Sequence, residues 1–177
     1  MLPVTSLLPL RARPALAALL ALLAAGTVAG SGTRVGFKDA FAMARGNAFV
    51  ATADNPSTVY YNPAGLTRLD GAQFEGNLYQ VAVSSDYSGP GGTASMDHSY
   101  QSVPALYATW KPQGAPWAYG FGVYAPFGLS TEWPAGSPLR TFALNNQQTY
   151  LTYNFSGAWQ VSPAFSLGAG LTYNHVS

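Results

Sequence analysis

LTYNFSGAWQVSPAFSLGAGLTYN, residues 151–174, alternates apolar with small or polar side chains along two runs joined at a proline. Leu151, Tyr153, Phe155, Trp159 and Val161 fall on one face of the first run, and Thr152, Asn154, Ser156, Ala158 and Gln160 fall on the other. Ser162, Pro163 and Ala164 turn the chain, after which Phe165, Leu167, Ala169, Leu171 and Tyr173 alternate with Ser166, Gly168, Gly170, Thr172 and Asn174. Period two belongs to a strand and not to a helix. A soluble sheet would carry Lys and Glu on its weaker face. Here that face is small and uncharged, and the last thirty residues hold no Lys, Arg, Asp or Glu. The pattern is that of a strand pair with lipid on its apolar side.

The composition agrees. Of 177 residues only 8% are charged, against about 25% in a typical soluble domain. The net charge is +1, and loss of Arg11 and Arg13 with a leader leaves six basic against seven acidic residues. Nothing basic remains to attract nucleic acid. Cysteine is absent, so no disulfide framework or thiolate chemistry is available. Arg11 and Arg13, the eleven-residue apolar run from Ala15 to Ala25, and the small residues from Thr27 to Gly30 read as a cleaved secretory signal over residues 1–30. The run is shorter than the roughly 20 apolar residues that a membrane helix needs. An exported chain of this character must cross with strands.

Residues 31–71 have a different texture. Phe37, Ala40, Phe41, Ala44 and Ala48 recur at helical spacing and predict a helix from Phe37 to Phe49. Asn55 before Pro56, and Asn62 before Pro63, each set a capping residue ahead of a proline, predicting helical turns at 56–61 and 63–66. This segment is too short to hold a core alone. From residue 72 to 177 the chain becomes a meander, with strands expected at 72–85, 99–111, 116–127, 147–161 and 164–176. Its links alternate in length: 86–98 long, 112–115 tight, 128–146 long, and a short turn at Pro163. Outer-membrane barrels sort their loops this way, long outside and short on the periplasmic side. Two blemishes stand out. Phe74 and Leu78 share a face while Tyr79, Val81 and Val83 take the other, which predicts a bulge near Leu78. Pro104 inside the second strand requires a bulge or an irregular neighbour.

No catalytic residue, metal ligand or cofactor is expected. His98 and His175 stand apart, and a metal or hydrolase site needs convergent partners. Asp54 and Asn55 read as capping residues, and Glu132 and Arg140 as solvated loop charges. Trp117, Tyr119, Tyr150, Tyr153, Trp159 and Tyr173 read as interface girdle or lipid-facing wall. Phe127, Leu129, Trp133, Leu139 and Phe142 form an apolar loop cluster suited to the outer groove of a hydrophobic ligand. The residues by themselves leave open a hydrophobic-compound transporter, another outer-membrane barrel such as a porin or an enzyme, and a soluble secreted sandwich or adhesin.

Three blocks in order narrow the choice. Residues 53–69 (ADNPSTVYYNPAGLTRL), 126–133 (PFGLSTEW) and 156–171 (SGAWQVSPAFSLGAGL) resemble the outer-membrane long-chain fatty acid and aromatic-hydrocarbon transporter family, OMPP1/FadL/TodX. The resemblance implies an all-β fold, a transmembrane antiparallel barrel of about fourteen strands plugged by an N-terminal helical hatch. Residues 31–71 would be the hatch and residues 72–177 the first five strands. It further implies passive uptake of a long-chain fatty acid or other hydrophobic molecule, with sideways release into outer-membrane lipid through a kink in the third strand. The kink is expected at Ala125, Pro126, Phe127 and Gly128, with the Asn62, Pro63, Ala64 motif of the hatch against it. Five strands cannot close, and the chain ends at Ser177 in mid-pattern without a terminal aromatic. A partial sequence is therefore expected, with a monomeric barrel at full length.

Overall fold

The computed structural model describes residues 35–96, 99–141 and 145–177. The expected signal, His98 and Phe142 lie outside the described residues. Among the described residues two α-helices, α1 (Ala40–Ala44) and α2 (Thr58–Tyr61), are followed by a 3-10 helix at Pro63–Arg68. Eight strands then run in order: β1 (Gly71–Val83), β2 (Asp86–Gly89), β3 (Gly92–Ser95), β4 (Ser99–Lys111), β5 (Trp117–Tyr124), β6 (Gly128–Glu132), β7 (Asn145–Ser162) and β8 (Phe165–Val176). Among the described residues no helix is long and apolar enough to cross a membrane.

β1, β4, β5, β7 and β8 are antiparallel neighbours in that order, with β6 beside β5 on the same flank of β7. β5 and β6 thus share the third position of a five-position sheet. β1 and β8 form its edges. β2 and β3 make a separate hairpin within the first long link.

Burial along β7 is inverted relative to a soluble sheet. Phe155 and Trp159 are 61% and 54% exposed, whereas Asn154 and Ser156 are 6% and 5% exposed. The buried polar face is satisfied by hydrogen bonds to the helical segment: Asn154 Nδ2 donates to the Val59 carbonyl at 3.0 Å. The exposed face has no such partners and needs none if it meets acyl chains. Near the tight link, Trp110, Trp117 and Tyr119 lie within 5.3–6.5 Å of one another, centroid to centroid. An aromatic cluster at the short-turn end suits an interface girdle.

Several expectations need correction. β1 has no bulge: every residue from Gly71 to Val83 pairs in step with Lys111 to Ser99. Tyr79 faces inward because the interior there is covered by protein, its ring 5.5 Å from that of Phe37. The helix expected from Phe37 to Phe49 shrinks to five residues. Asp39 caps it, accepting from Phe41 N and Ala42 N, and positive φ at Gly46 and Asn47 ends the helical path. The 128–146 link is not all loop, since β6 continues the sheet. Pro104 pairs opposite Leu78 without a register shift. It lies one residue beyond the β4–β5 ladder, which ends at Ala105 and Tyr124, so no β5 partner there asks for its missing N–H.

The inverted burial makes a direct prediction for the full-length protein. Phe155→Arg should cost about 2–4 kcal/mol if the residue sits near the bilayer midplane, read by denaturant unfolding in lipid. Unchanged stability would refute a lipid-facing Phe155.

Candidate functional site at an interrupted strand

The third position of the sheet is broken at residues 125–127. β5 pairs Tyr124 with Thr152, and β6 resumes with Gly128 opposite Thr149. Four steps along β5–β6 therefore match three along β7, which leaves one extra residue in the break. Pro126 supplies no N–H to a ladder, and the freed carbonyls turn to the N-terminal segment. Lys38 Nζ donates to the Ala125 carbonyl at 2.7 Å, and Val35 N donates to the Pro126 carbonyl at 2.9 Å.

Lys38 is held from several sides. The residue is 2% exposed. The same Nζ donates to the Val35 carbonyl at 2.7 Å, and Tyr107 Oη donates to the Lys38 carbonyl at 3.2 Å. The neighbouring carboxylates are engaged elsewhere. Asp39 accepts from Asn55 Nδ2 at 2.8 Å and Ser57 Oγ at 3.1 Å, besides capping α1. Glu75 of β1 accepts from Ser57 N at 3.1 Å and Asn77 Nδ2 at 2.6 Å.

A chain of rings joins this corner to the helical segment. Phe49 and Tyr61 lie 5.2 Å apart, Tyr61 and Tyr60 4.8 Å, Tyr60 and Tyr124 4.9 Å, and Tyr124 and Tyr107 6.0 Å. Burial pushes the Tyr61 phenol up, partly offset by the Lys38 backbone N–H. It therefore stays a neutral donor at physiological pH. Val59, Leu66, Ala105, Tyr107, Ala118, Tyr124 and Ala158 close the apolar core beneath.

Ala125 and Pro126 occupy the break, Phe127 makes a single isolated bridge within it, and Gly128 opens β6. Asn62, Pro63 and Ala64 lie elsewhere, which corrects the expected contact between them and the break. Asn62 caps the 3-10 helix through Oδ1, accepting from Ala64 N at 3.3 Å, and its Nδ2 donates to the Val50 carbonyl at 3.0 Å. The Pro63–Ala64 peptide presses on β8, where a Cβ on Gly168 would overlap it. Gly168 pairs with Ala158, and Ala158 with Ala118, seven residues before Ala125. At ~3.3 Å per residue that is on the order of 20 Å from the break. The sealing of the break falls instead to Val35 and Lys38.

Of the expected loop cluster, the side chains of Phe127, Trp133 and Leu139 are described. The Phe127 ring meets Tyr150 edge-on at 5.1 Å. Leu139 belongs to a 3-10 helix at Pro138–Thr141, beside the β2–β3 hairpin, where a Cβ on Gly91 would touch Pro138 at 3.4 Å. Trp133 is half-buried just after β6. The Leu129 backbone pairs with Gln148, and its side chain lies outside the described residues. Val35, Lys38, Tyr60, Tyr61, Tyr107 and Asn154 had no signal as site residues at the level of spacing. The Tyr60–Tyr61 pair and a single lysine in a small-residue run were the only hints.

An apolar outer face, a polar inner face packed on short helices, and long links opposite tight ones define an outer-membrane β-barrel wall. Comparison with known proteins gives the family. Residues 18–177 match the model for outer membrane protein transport proteins (OMPP1/FadL/TodX), and the chain belongs to that family. It is 34% identical over 128 residues to the putative outer membrane protein NMB0088 of Neisseria meningitidis serogroup B, covering 66% of this chain and 27% of that protein. It is 30% identical over 141 residues to outer membrane protein P1 of Haemophilus influenzae, covering 68% of this chain and 30% of that protein. The crystal structure of a Pseudomonas aeruginosa FadL homologue superposes with a TM-score of 0.51 at 21% identity, over 70% of this chain and 33% of that one. That likeness supports the fold. The chain thus spans about a third or less of each of these proteins, and the family places it in the outer membrane of a Gram-negative-type bacterium.

The close approach at β8 is testable. Gly168→Val in the full-length protein should push the Pro63–Ala64 turn off the strand at a cost of about 1–3 kcal/mol, seen as a lower melting temperature and faster proteolysis of residues 35–70. Wild-type protease resistance would contradict that packing.

Proposed function

We propose that this chain is the leading part of a plugged outer-membrane barrel that takes up hydrophobic compounds, long-chain fatty acids or aromatic hydrocarbons, and releases them sideways into lipid at residues 125–127. Residues 1–30 are the cleaved signal, residues 31–71 the hatch, and residues 72–177 the first five strands of a monomeric barrel. The observation that carries this reading is the break itself. A wall in hydrocarbon tolerates irregular backbone only where protein or water satisfies it. Here the satisfying groups belong to Val35 and Lys38, on a segment that is not part of the sheet. Withdrawing that segment would uncover a lateral opening without breaking a ladder bond.

The chemistry fits a poorly soluble cargo. A water-filled pore does little for such a molecule, whereas an apolar relay gains about 25 cal/mol per Å² of surface removed from water. Phe127, Leu129, Trp133, Leu139 and Phe142 are assigned to the outer side of that relay. Asn62, Pro63 and Ala64 fasten the hatch low on β8 and leave its Val35–Lys38 end as the part that gates. The function asks for no cofactor or metal.

Deleting Pro126 from the full-length protein removes the extra residue and lets β5 and β6 join in one register. Uptake of labelled oleate by cells carrying this variant should fall toward that of cells without the protein. Its amount in the outer membrane and its heat-modifiable gel mobility should remain those of wild type. Undiminished uptake by a correctly assembled variant would remove the break from the transport route.

A further inference from the structure

The lipid-facing wall carries a shallow trough near its short-link end. Ala72 of β1 lies opposite Trp110, and Ala108 of β4 lies between Phe74 and Phe121, so two methyl groups floor an apolar depression among large neighbours. We propose that this trough, with the exposed carboxylate of Asp70 at its end, is a binding site for one ammonium-headed diacyl phospholipid of the periplasmic leaflet. The inference rests on the lipid-facing wall and not on what the barrel transports.

The walls of the trough are braced. Phe121 packs on Phe155 at 4.6 Å, Trp110 and Tyr119 stack at 6.5 Å with 17° between their planes, and Phe74 closes the β1 side. An acyl chain on a flat wall meets protein on one side only, whereas here floor and walls both touch it. Inside a bilayer that gain is dispersion, small for each atom pair and large in sum. The head end is marked by charge. Asp70 lies two residues before Ala72, at most ~7 Å along the chain. Its Oδ1 accepts from Lys111 Nζ at 2.7 Å, yet the Asp70 side chain is 77% exposed and that of Lys111 only 11%. The acid is therefore the half of the pair that meets its surroundings, and it attracts an ammonium and repels an anionic head. Arg68, the other cation at this end of β1, is turned to the carbonyls of Thr52 and Ala53. Trp110 and Tyr119 bring an indole N–H and a phenol to the same level, donors suited to the glycerol ester carbonyls. The 112–115 link beside them is short, and short links face the periplasm, which sets the leaflet and makes its lipid a phospholipid.

The full-length protein in mild detergent, mixed with equal amounts of phosphatidylethanolamine and phosphatidylglycerol of identical chains, gives the test, with bound lipids counted by native mass spectrometry. Wild type should retain one phosphatidylethanolamine, about threefold in preference to phosphatidylglycerol. Ala108→Phe fills the floor of the trough with another apolar ring and should cut retention of that lipid about tenfold. Asp70→Asn should bring the ratio of the two lipids toward one, with heat-modifiable mobility unchanged. Retention of neither lipid by wild type, or of both equally, would overturn the proposal whether or not the variants assemble. So would retention unchanged in Ala108→Phe, or a ratio unchanged in Asp70→Asn.

Discussion

Hydrocarbon offers no partner to a backbone N–H or carbonyl, so a strand exposed to lipid must satisfy its main chain entirely within the protein. β1 with β4, and β7 with β8, do so along the edges they share through long ladders, with one irregularity between Gln160 and Ser162, while the outer edges of β1 and β8 have no strand partner among the described residues. The third position cannot. Pro126 has no donor, an extra residue throws β5 and β6 out of common register, and two carbonyls need partners from outside the sheet. Lys38 and Val35 provide them. The position of the N-terminal segment against the inner face follows from that requirement as much as from apolar packing.

The rest of the inner face is shaped by having a solid body behind it. Gly120 and Gly122 lie where any side chain would collide with Val59, Leu66 or Tyr107, and Gly168 lies where one would collide with the Pro63–Ala64 peptide. Several polar side chains on the same face find hydrogen-bond partners in place of water, although the buried Thr109 hydroxyl has none: Asn154 reaches the Val59 carbonyl and the Tyr124 hydroxyl, and Thr67 and Ser166 share a hydrogen bond at 2.9 Å. Small residues give the helical segment room to approach, and polar residues hold it there. The outer face carries neither constraint and is free to be large and apolar.

This division explains which parts were legible in the sequence. β7 and β8 read cleanly because one side meets lipid and the other meets small polar contacts, so hydropathy alternates with the backbone. β1 misled because its inner face meets Phe37, which lets Tyr79 be apolar on the side where polarity is expected. Where both faces lack water, hydropathy no longer reports direction. β6 does not stand out in the sequence because a glycine, a serine and a glutamate mask a five-residue strand whose evidence is its pairing with β7. The family blocks located Pro126, yet they pointed to Asn62–Ala64 as its neighbour. The actual contact links Lys38 to Ala125 across 87 residues of sequence. One lysine carries no periodicity, and only the fold brings it to its carbonyl.

The account stands on the orientation of one ribbon. Single cysteines at positions 153 to 156 and 159 of the full-length protein, each bearing a fluorophore, can be quenched by a reagent confined to the acyl region of a reconstituted bilayer. Strong quenching at 153, 155 and 159 with little at 154 and 156 is the predicted result. Quenching that is reversed, or uniform along the strand, would contradict a polar face packed on the N-terminal segment and an apolar face in lipid.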